Sequence, residues 1–256
     1  MRQVYVGITG FTSRNEVYSV SDSMMAEDSN RLLMVGVLAS KKTLSGQKNK
    51  WPNRYPRVQD ISGIFTQHEG VLNLIHYSTD NHHENPSFLI DELIHMSQLG
   101  GPFFHGFQLN ITWPSRGAIA EFRKHVPNKV IVLQIGGKAL RTINHSPKNL
   151  VFDLMKYENL IDYVLIDPSG GLGIPFDTER ARAYLKAIHA ANLNLGLGVA
   201  GGLSPTTLHL VEPLLSDFPD LSWDAEGRLR DEQDNLVLKT SVEYVQKSCG
   251  LTGVRR

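Results

Sequence analysis

The sequence predicts a (β/α)8 barrel, also called a TIM barrel, in one domain that spans residues 1–256. Three observations predict it: eight short apolar segments, stretches of helical period between them, and a length that suits eight strand–helix units. The apolar segments show little alternation, which is typical of parallel strands covered on both faces, and such strands need helical crossovers. A doubly wound open sheet is the alternative. It is less favoured because no Gly-x-Gly-x-x-Gly turn follows the first strand.

The predicted elements alternate along the whole chain. The strands are expected at 4–9, 32–39, 71–77, 104–111, 129–135, 163–167, 194–200 and 220–223. The helices are expected at 14–29, 57–67, 86–99, 115–126, 147–158, 177–192, 204–217 and 236–248. Several helices begin on Ser, Asp or Pro, which favour the first positions of a helix.

The charge balance limits the partners. The chain has 26 Lys and Arg against 26 Asp and Glu, so no global field attracts a phosphate backbone or an anionic membrane. We therefore expect that any anion is bound at a local site, and that the protein binds neither nucleic acid nor membrane. A homodimer stays open. A single cysteine and an N-terminus without a long apolar run predict a cytoplasmic protein.

Candidate site residues follow from the barrel geometry. Active sites of these barrels form at the carboxyl ends of the strands, and sugar phosphates are typically held by the loops after strands seven and eight. This rule selects Thr9, Arg54 in the basic loop, His76, His82–His83, Gln108, Asn110, Gln134, Asp167, the segment 198–205 with Gly201 and Gly202, and the segment 223–230 with Gly227.

Two segments carry the strongest local signals. In GVAGGLSP, at 198–205, adjacent Gly201 and Gly202 let backbone N–H groups approach an oxyanion, although an ordinary turn has the same composition. Asp167 ends an apolar strand, where partial burial suits a carboxyl for proton transfer. The same position also suits an aspartate that bonds turn amides, so both interpretations stay open.

Two further groups have weaker signals. Arg54, in the basic loop 41–56, is placed to reach an anionic substrate, although solvated charge runs are commoner. His76 and the pair His82–His83 raise the question of a metal, but no carboxylate–histidine spacing accompanies them. We therefore predict no metal and no cofactor.

Four segments together resemble the phosphoribosylanthranilate isomerase family of tryptophan biosynthesis, whose members are (β/α)8 barrels. They are VGITGFTSRNEV (6–17), NRYP (53–56), FQLN (107–110), and LIDPSGGLGIPFD (165–177) followed by GVAGGLSPTTL (198–208). The resemblance implies a cofactor-free Amadori rearrangement, in which an acid protonates the furanose ring oxygen and a base removes the C2′ proton. It implies that Asp167 is the acid, that Arg54 meets a substrate carboxylate, and that Gly201 and Gly202 bind phosphate.

The chain departs from that family at its chemical positions. The cysteine that acts as base is replaced by Thr9, whose hydroxyl is too weak an acid without an activating partner, and a lysine is replaced by Gly7. The loop after strand eight, usually Ser-Ser-Gly-Val-Glu, is Trp-Asp-Ala-Glu-Gly at 223–227. Its carboxylates oppose a phosphate unless Arg228 or Arg230 turns inward. The loop also suits a hairpin-like excursion with Gly227 at its turn.

These departures favour an enzyme with a different substrate or reaction over one that keeps the isomerase activity of the family. We expect it to act on a small phosphorylated sugar by acid–base chemistry, with Asp167 as proton donor and His76, Asn110 and Gln134 as further substrate-binding groups. Thr9 is a doubtful base. The alternative is a non-catalytic phosphate- or metabolite-binding barrel of the same family.

Overall fold

Eight parallel strands hydrogen-bond in chain order and close into a barrel in the computed structural model, which confirms the predicted fold class. The structure describes residues 2–27, 29–79, 86–169 and 175–251. The strands are β1 (Tyr5–Thr9), β2 (Leu32–Ser40), β3 (Val71–Ser78), β4 (Gly106–Leu109), β5 (Val130–Ile135), β6 (Tyr163–Ile166), β7 (Gly196–Ala200) and β8 (Ser222–Ala225). The barrel closes because β8 pairs in parallel with both β7 and β1.

Helices surround the barrel. Within the described residues they are α1 (Arg14–Met25), α2 (Lys41–Leu44), α3 (Ile61–Ile64), α4 (Pro86–Leu99), α5 (Arg116–His125), α6 (Gly137–Thr142), α7 (Pro147–Leu154), α8 (Thr178–Ala190), α9 (Glu212–Leu215) and α10 (Leu238–Gly250). Predicted helix starts at Ser115 and Asp177 are confirmed, because each side chain accepts a backbone N–H of the first turn; Ser13 and Ser146 cap α1 and α7 in the same way. No helix of the described part of the chain is long and apolar enough to cross a membrane.

Two predicted helices are wrong over most of their length. Residues 204–217 hold only a 3-10 turn, Leu208–Leu210, and the four-residue α9. Pro213 lacks a backbone N–H and its ring clashes with a preceding helical turn, so it begins α9 instead of continuing a helix. The prediction at 57–67 shortens to a 3-10 turn, Val58–Asp60, and α3, after which Phe65 is extended. Short helices α2 and α6 are additions that the sequence pattern did not predict.

The buried side chains form two clusters, one inside the barrel and one between the strands and the helices. One cluster fills the inside of the barrel: Tyr5, Met34, Leu72, Leu74, Val132, Tyr163, Leu165 and Ala200. The intervening strand residues, such as Ile75, Leu133 and Ile166, pack outward in the larger cluster between strands and helices. Successive side chains of a strand point to opposite faces, so the residue two positions after an inward apolar residue also faces inward. This periodicity directs the strand-end residues His76, Gln134 and Asp167 toward the mouth of the barrel.

Candidate active site at the carboxyl ends of the strands

A cavity of about 650 Å³ opens at the carboxyl ends of the strands. It is lined by all but one of the residues predicted to form the site: Arg54, His76, Asn110, Gln134, Asp167, Gly201, Gly202 and Gly227. Gln108 also lines it. The exception is Thr9, which is buried below the cavity wall. Residues far apart in sequence therefore meet at one place because the barrel brings the ends of its strands together.

Asp167 is buried at the end of β6 and accepts three hydrogen bonds. Ser169 donates to its Oδ1 twice, from the backbone N at 3.1 Å and from Oγ at 2.6 Å. Gln134 Nε2 donates to Oδ2 at 2.9 Å. The bond from the Ser169 amide is the turn contact that the sequence left open, and it coexists with a place on the cavity wall.

Gln134 is the centre of a hydrogen-bonded network. Its Oε1 accepts from Gln108 Nε2 at 3.2 Å and lies 3.0 Å from His76 Nε2. Since an amide oxygen only accepts, the His76 ring carries its hydrogen on Nε2. His76 Nδ1 is buried and has no partner among the described residues.

A second carboxyl, Asp224, lies in β8 at the floor of the cavity and is only 5% exposed. Its Oδ2 accepts from Thr9 Oγ1 at 2.9 Å and from Gln108 Nε2 at 3.1 Å. The pKa of Asp224 is raised to about 7: burial raises it most, the hydrogen bonds from Gln108 and Thr9 lower it, and the charges of Glu226 and Asp167 add a smaller rise. The hydroxyl of Thr9, the doubtful base, is thus engaged with this carboxyl.

The glycine turn after β7 lies against Asp167. Gly201 and Gly202 have φ of 110° and 65°, which L side chains rarely adopt. A Cβ atom at Gly201 would stand 2.8 Å from Ser169 Oγ and 2.9 Å from Asp167 Oδ1. An anion bound over this turn would therefore lie next to a carboxylate. The cations Lys138 and Arg228, which line the same cavity, supply opposing charge.

Arg54 joins the loop after β2 to the loop after β8. Its Nη1 donates to Glu226 Oε1 at 2.9 Å and its Nε to Asp234 Oδ1 at 3.0 Å. Its guanidinium carbon also lies 4.9 Å from the centroid of the Trp51 ring. The side chain is 16% exposed, so the solvated interpretation is wrong for Arg54. A substrate carboxylate would have to compete with two resident carboxylates.

The loop after β8 differs from its prediction. An antiparallel bridge between Arg230 and Leu236 confirms a hairpin-like excursion. Its turn is formed by 231–235, where Asp231 Oδ1 accepts from the backbone N of Gln233 and of Asn235. The prediction of Gly227 at that turn is wrong, since Gly227 begins a 3-10 turn, Gly227–Leu229. Arg230 turns inward and donates to the carbonyls of Thr9 and Gly10.

One site residue escaped the sequence prediction, and the role of a second was not foreseen. Lys138 follows a glycine pair at the end of β5, a signal similar to the turn after β7, and it lines the cavity in α6. Asp224 was recognised only as a carboxylate opposed to phosphate. His82–His83 and residues 170–174 of the glycine-rich loop lie outside the described residues. Among the described residues, no group of three or more His, Cys, Asp or Glu is placed to hold a metal ion.

Comparison with known proteins places the fold and leaves the activity open. Phosphoribosyl anthranilate isomerase from Thermus thermophilus is similar with a TM-score of 0.65 and 12% identity, over 97% of this chain and 100% of that one. Tryptophan synthase subunit alpha from Legionella pneumophila is similar with a TM-score of 0.61 and 10% identity, over 98% and 92%. The catalytic domain of a chitinase from Pyrococcus furiosus is similar with a TM-score of 0.59 and 9% identity, over 97% of both.

No protein-family profile matches the sequence, and no curated protein does so either. Identities this low show a shared fold alone, and one such fold carries many chemistries. The activity has to be argued from the site.

Proposed function

We propose that this chain is an enzyme that acts on a small phosphorylated sugar by acid–base chemistry, with Asp167 as proton donor. The observation that carries the proposal is the contact between Asp167 and Gly201, where a Cβ atom would stand 2.9 Å from the carboxylate. It sets a buried carboxyl beside a turn suited to an oxyanion, within one cavity. Phosphate bound there would hold the sugar ring within reach of the acid.

The phosphate site would be formed by the turns after β7 and β8. Gly201 and Gly202 leave their backbone free of Cβ atoms, and Gly227 lies beside them on the cavity wall. Lys138 and Arg228 line the same cavity and would bring positive charge to a bound phosphate.

The sugar would occupy the polar floor and walls. His76, Asn110 and Gln134 line the cavity and would offer an imidazole and two amide groups to the hydroxyls of the sugar. Proton donation from Asp167 to the ring oxygen would leave a carboxylate that Ser169 and Gln134 already stabilise with three hydrogen bonds. The volume of about 650 Å³ accommodates a pentose phosphate with a substituent on C1.

One observation favours the second candidate, a non-catalytic binding barrel of the same shape. The Thr9 hydroxyl, at the position to which the resemblance assigns the base, is bonded to Asp224 and lies off the cavity wall. Such a protein would bind a sugar phosphate in the same cavity and leave it unchanged.

Binding and turnover separate the two candidates. Calorimetry with inorganic phosphate and with ribose 5-phosphate measures binding, and proton NMR follows phosphoribosylanthranilate for product. We expect turnover that Asp167→Asn abolishes with phosphate affinity retained, while Asp153→Asn, at an exposed ion pair with Lys156, leaves both unchanged. Binding without product would establish the non-catalytic candidate. Absence of both binding and product would overturn both.

A further inference from the structure

Asp224 is a second buried carboxyl of the cavity, and the function proposed above gives it no role. Its neighbours in β8, Trp223 and Ala225, pack outward in the core, so Asp224 points into the barrel. It lines the cavity, and its Oδ1 has no hydrogen-bond partner among the described residues. A carboxyl oxygen left unpaired in the interior costs stability, and such cost is commonly tolerated at functional sites.

The adjacent strand β1 is shaped around this carboxyl. Gly7 pairs with Asp224 in the register of β1 and β8. A Cβ atom at Gly7 would stand 2.7 Å from Asp224 Oδ1, so any larger residue would displace the carboxyl. Thr9, two positions along, donates to Oδ2 at 2.9 Å. Gly7 makes room for the side chain and Thr9 fixes its orientation, so three departures from the resembled family form one structural unit.

A chain of hydrogen bonds also links Asp224 to Asp167. Gln134 donates to Asp167 and accepts from Gln108, and Gln108 donates to Asp224. The two carboxyls thus terminate one network across the floor of the cavity. Ring opening followed by loss of a C–H proton needs two acid–base groups at different atoms of the sugar.

We propose that Asp224 is the catalytic base of this site, positioned by Thr9, for the phosphorylated glycosylamine that the resemblance implies as the substrate. The inference rests on the proposed function. Asp167 gives its proton to the ring oxygen, the C1–O bond breaks with its electron pair passing to oxygen, and an iminium forms between C1 and nitrogen. Asp224 then takes the proton from C2. The C–H pair forms the C1=C2 bond, and the C=N pair passes to nitrogen, which becomes neutral.

The surroundings of Asp224 suit that role. The charged groups that face it are Glu226 and Asp167, and the phenols are Tyr5 and Tyr244, whose pKa values are raised by burial. Burial likewise raises the pKa of Asp224 to about 7, so both its acid and its base forms are populated near neutral pH. A base whose pKa is near the working pH is largely deprotonated and is still basic enough to take a proton from carbon.

The test compares variants on the glycosylamines that ribose 5-phosphate forms with anthranilate and with ammonia. Asp224→Asn is expected to lower kcat by about 10²- to 10⁴-fold, with affinity for inorganic phosphate unchanged. Substrate deuterated at C2 is expected to show a primary isotope effect in the wild type. The rate should rise with pH through about 7, where Asp224 ionises. Thr9→Val removes a hydrogen bond that favours the carboxylate, so its profile should move to higher pH with kcat recovered at the plateau.

Each of the following outcomes would overturn a different part of the proposal. Full turnover by Asp224→Asn, with Asp167→Asn inactive, overturns the role of Asp224 and leaves the proposed function standing. An unshifted pH profile in Thr9→Val overturns the positioning by Thr9. Wild-type protein that binds no phosphate and forms no product overturns the proposed function, and the role of Asp224 with it.

Discussion

Gly201 lies so close to Asp167 that a Cβ atom there would stand 2.9 Å from the carboxylate oxygen. The turn after β7 and the end of β6 are therefore packed as one surface. Any side chain at position 201 would also have to adopt a φ of 110°. Space and backbone conformation thus demand glycine for independent reasons.

Gly201→Ala is therefore expected to lower the free energy of unfolding by about 1–3 kcal/mol and to weaken phosphate binding at least tenfold. Urea unfolding and calorimetry measure the two effects. Gly63→Ala is the matched control. Gly63 lies in α3 away from the cavity, and no atom of a non-neighbouring described residue lies within 4 Å of its Cβ position. Equal effects of the two substitutions would contradict the argument.

Arg54→Met tests the bridge between the loops after β2 and β8. The substitution keeps much of the aliphatic stem and leaves Glu226 and Asp234 without their shared cation. We expect a loss of about 1–2 kcal/mol in urea unfolding, since Arg54 is 16% exposed whereas solvent partly screens Glu226 and Asp234, which are 32% and 30% exposed. Arg57→Met removes an exposed pair with Asp60 in the same region and should have no measurable effect. A loss in both variants would point to the loop and not to the bridge.

The raised pKa of Asp224 makes stability depend on pH. The folded protein holds this proton up to about pH 7, whereas the unfolded chain releases it near the ordinary value of 3.8. Between these values the folded state binds more protons, so the free energy of unfolding falls as pH rises, by about 1 kcal/mol per unit. Relative to Asp224→Asn, the wild type should therefore lose about 2–3 kcal/mol between pH 5 and 8.

Asp231 provides a control of opposite sign. Hydrogen bonds from the backbone and side chain of Asn235 lower its pKa, so its contribution is present at neutral pH and is lost on acidification. Unfolding of Asp231→Asn should show a pH dependence altered in the opposite direction. Identical profiles for the wild type and Asp224→Asn would show that Asp224 titrates normally.

The barrel was predictable because it follows from local patterns. Apolar segments and helix starts repeat along the chain, and strand order then follows from the crossovers. The predictions of helices at 57–67 and 204–217 were too long because they relied on the spacing of apolar residues. In the structure the backbone is extended at Phe65, and Pro213 lies in the first turn of the short helix α9. Helix α6 was missed because six residues carry too little period to detect.

Site residues that lie at the end of a strand could be predicted from the sequence. Site residues that lie within a strand and face the inside of the barrel were much harder to predict. The eighth strand was expected at 220–223 and is Ser222–Ala225, which hid the inward position of Asp224. A carboxyl inside a strand has no apolar signature, and only its partners Thr9 and Gln108, on other strands, explain it. Pairings between distant strands are a property of the closed barrel and leave no trace in local sequence.

Gln134 holds three polar side chains in register, and its replacement by Met should release all three. Met fills a similar volume and offers neither amide group, so Asp167 Oδ2, Gln108 Nε2 and His76 Nε2 would each lose a partner. A buried polar group left unpaired costs about 1–3 kcal/mol, and relaxation makes the three costs less than additive. We therefore expect Gln134→Met to lower the free energy of unfolding by about 2–5 kcal/mol in urea. Gln47→Met, at an exposed position, should change it by less than about 0.5 kcal/mol. A loss below about 1 kcal/mol at position 134 would show that these side chains find other partners, and that the network does not hold the two carboxyls in place.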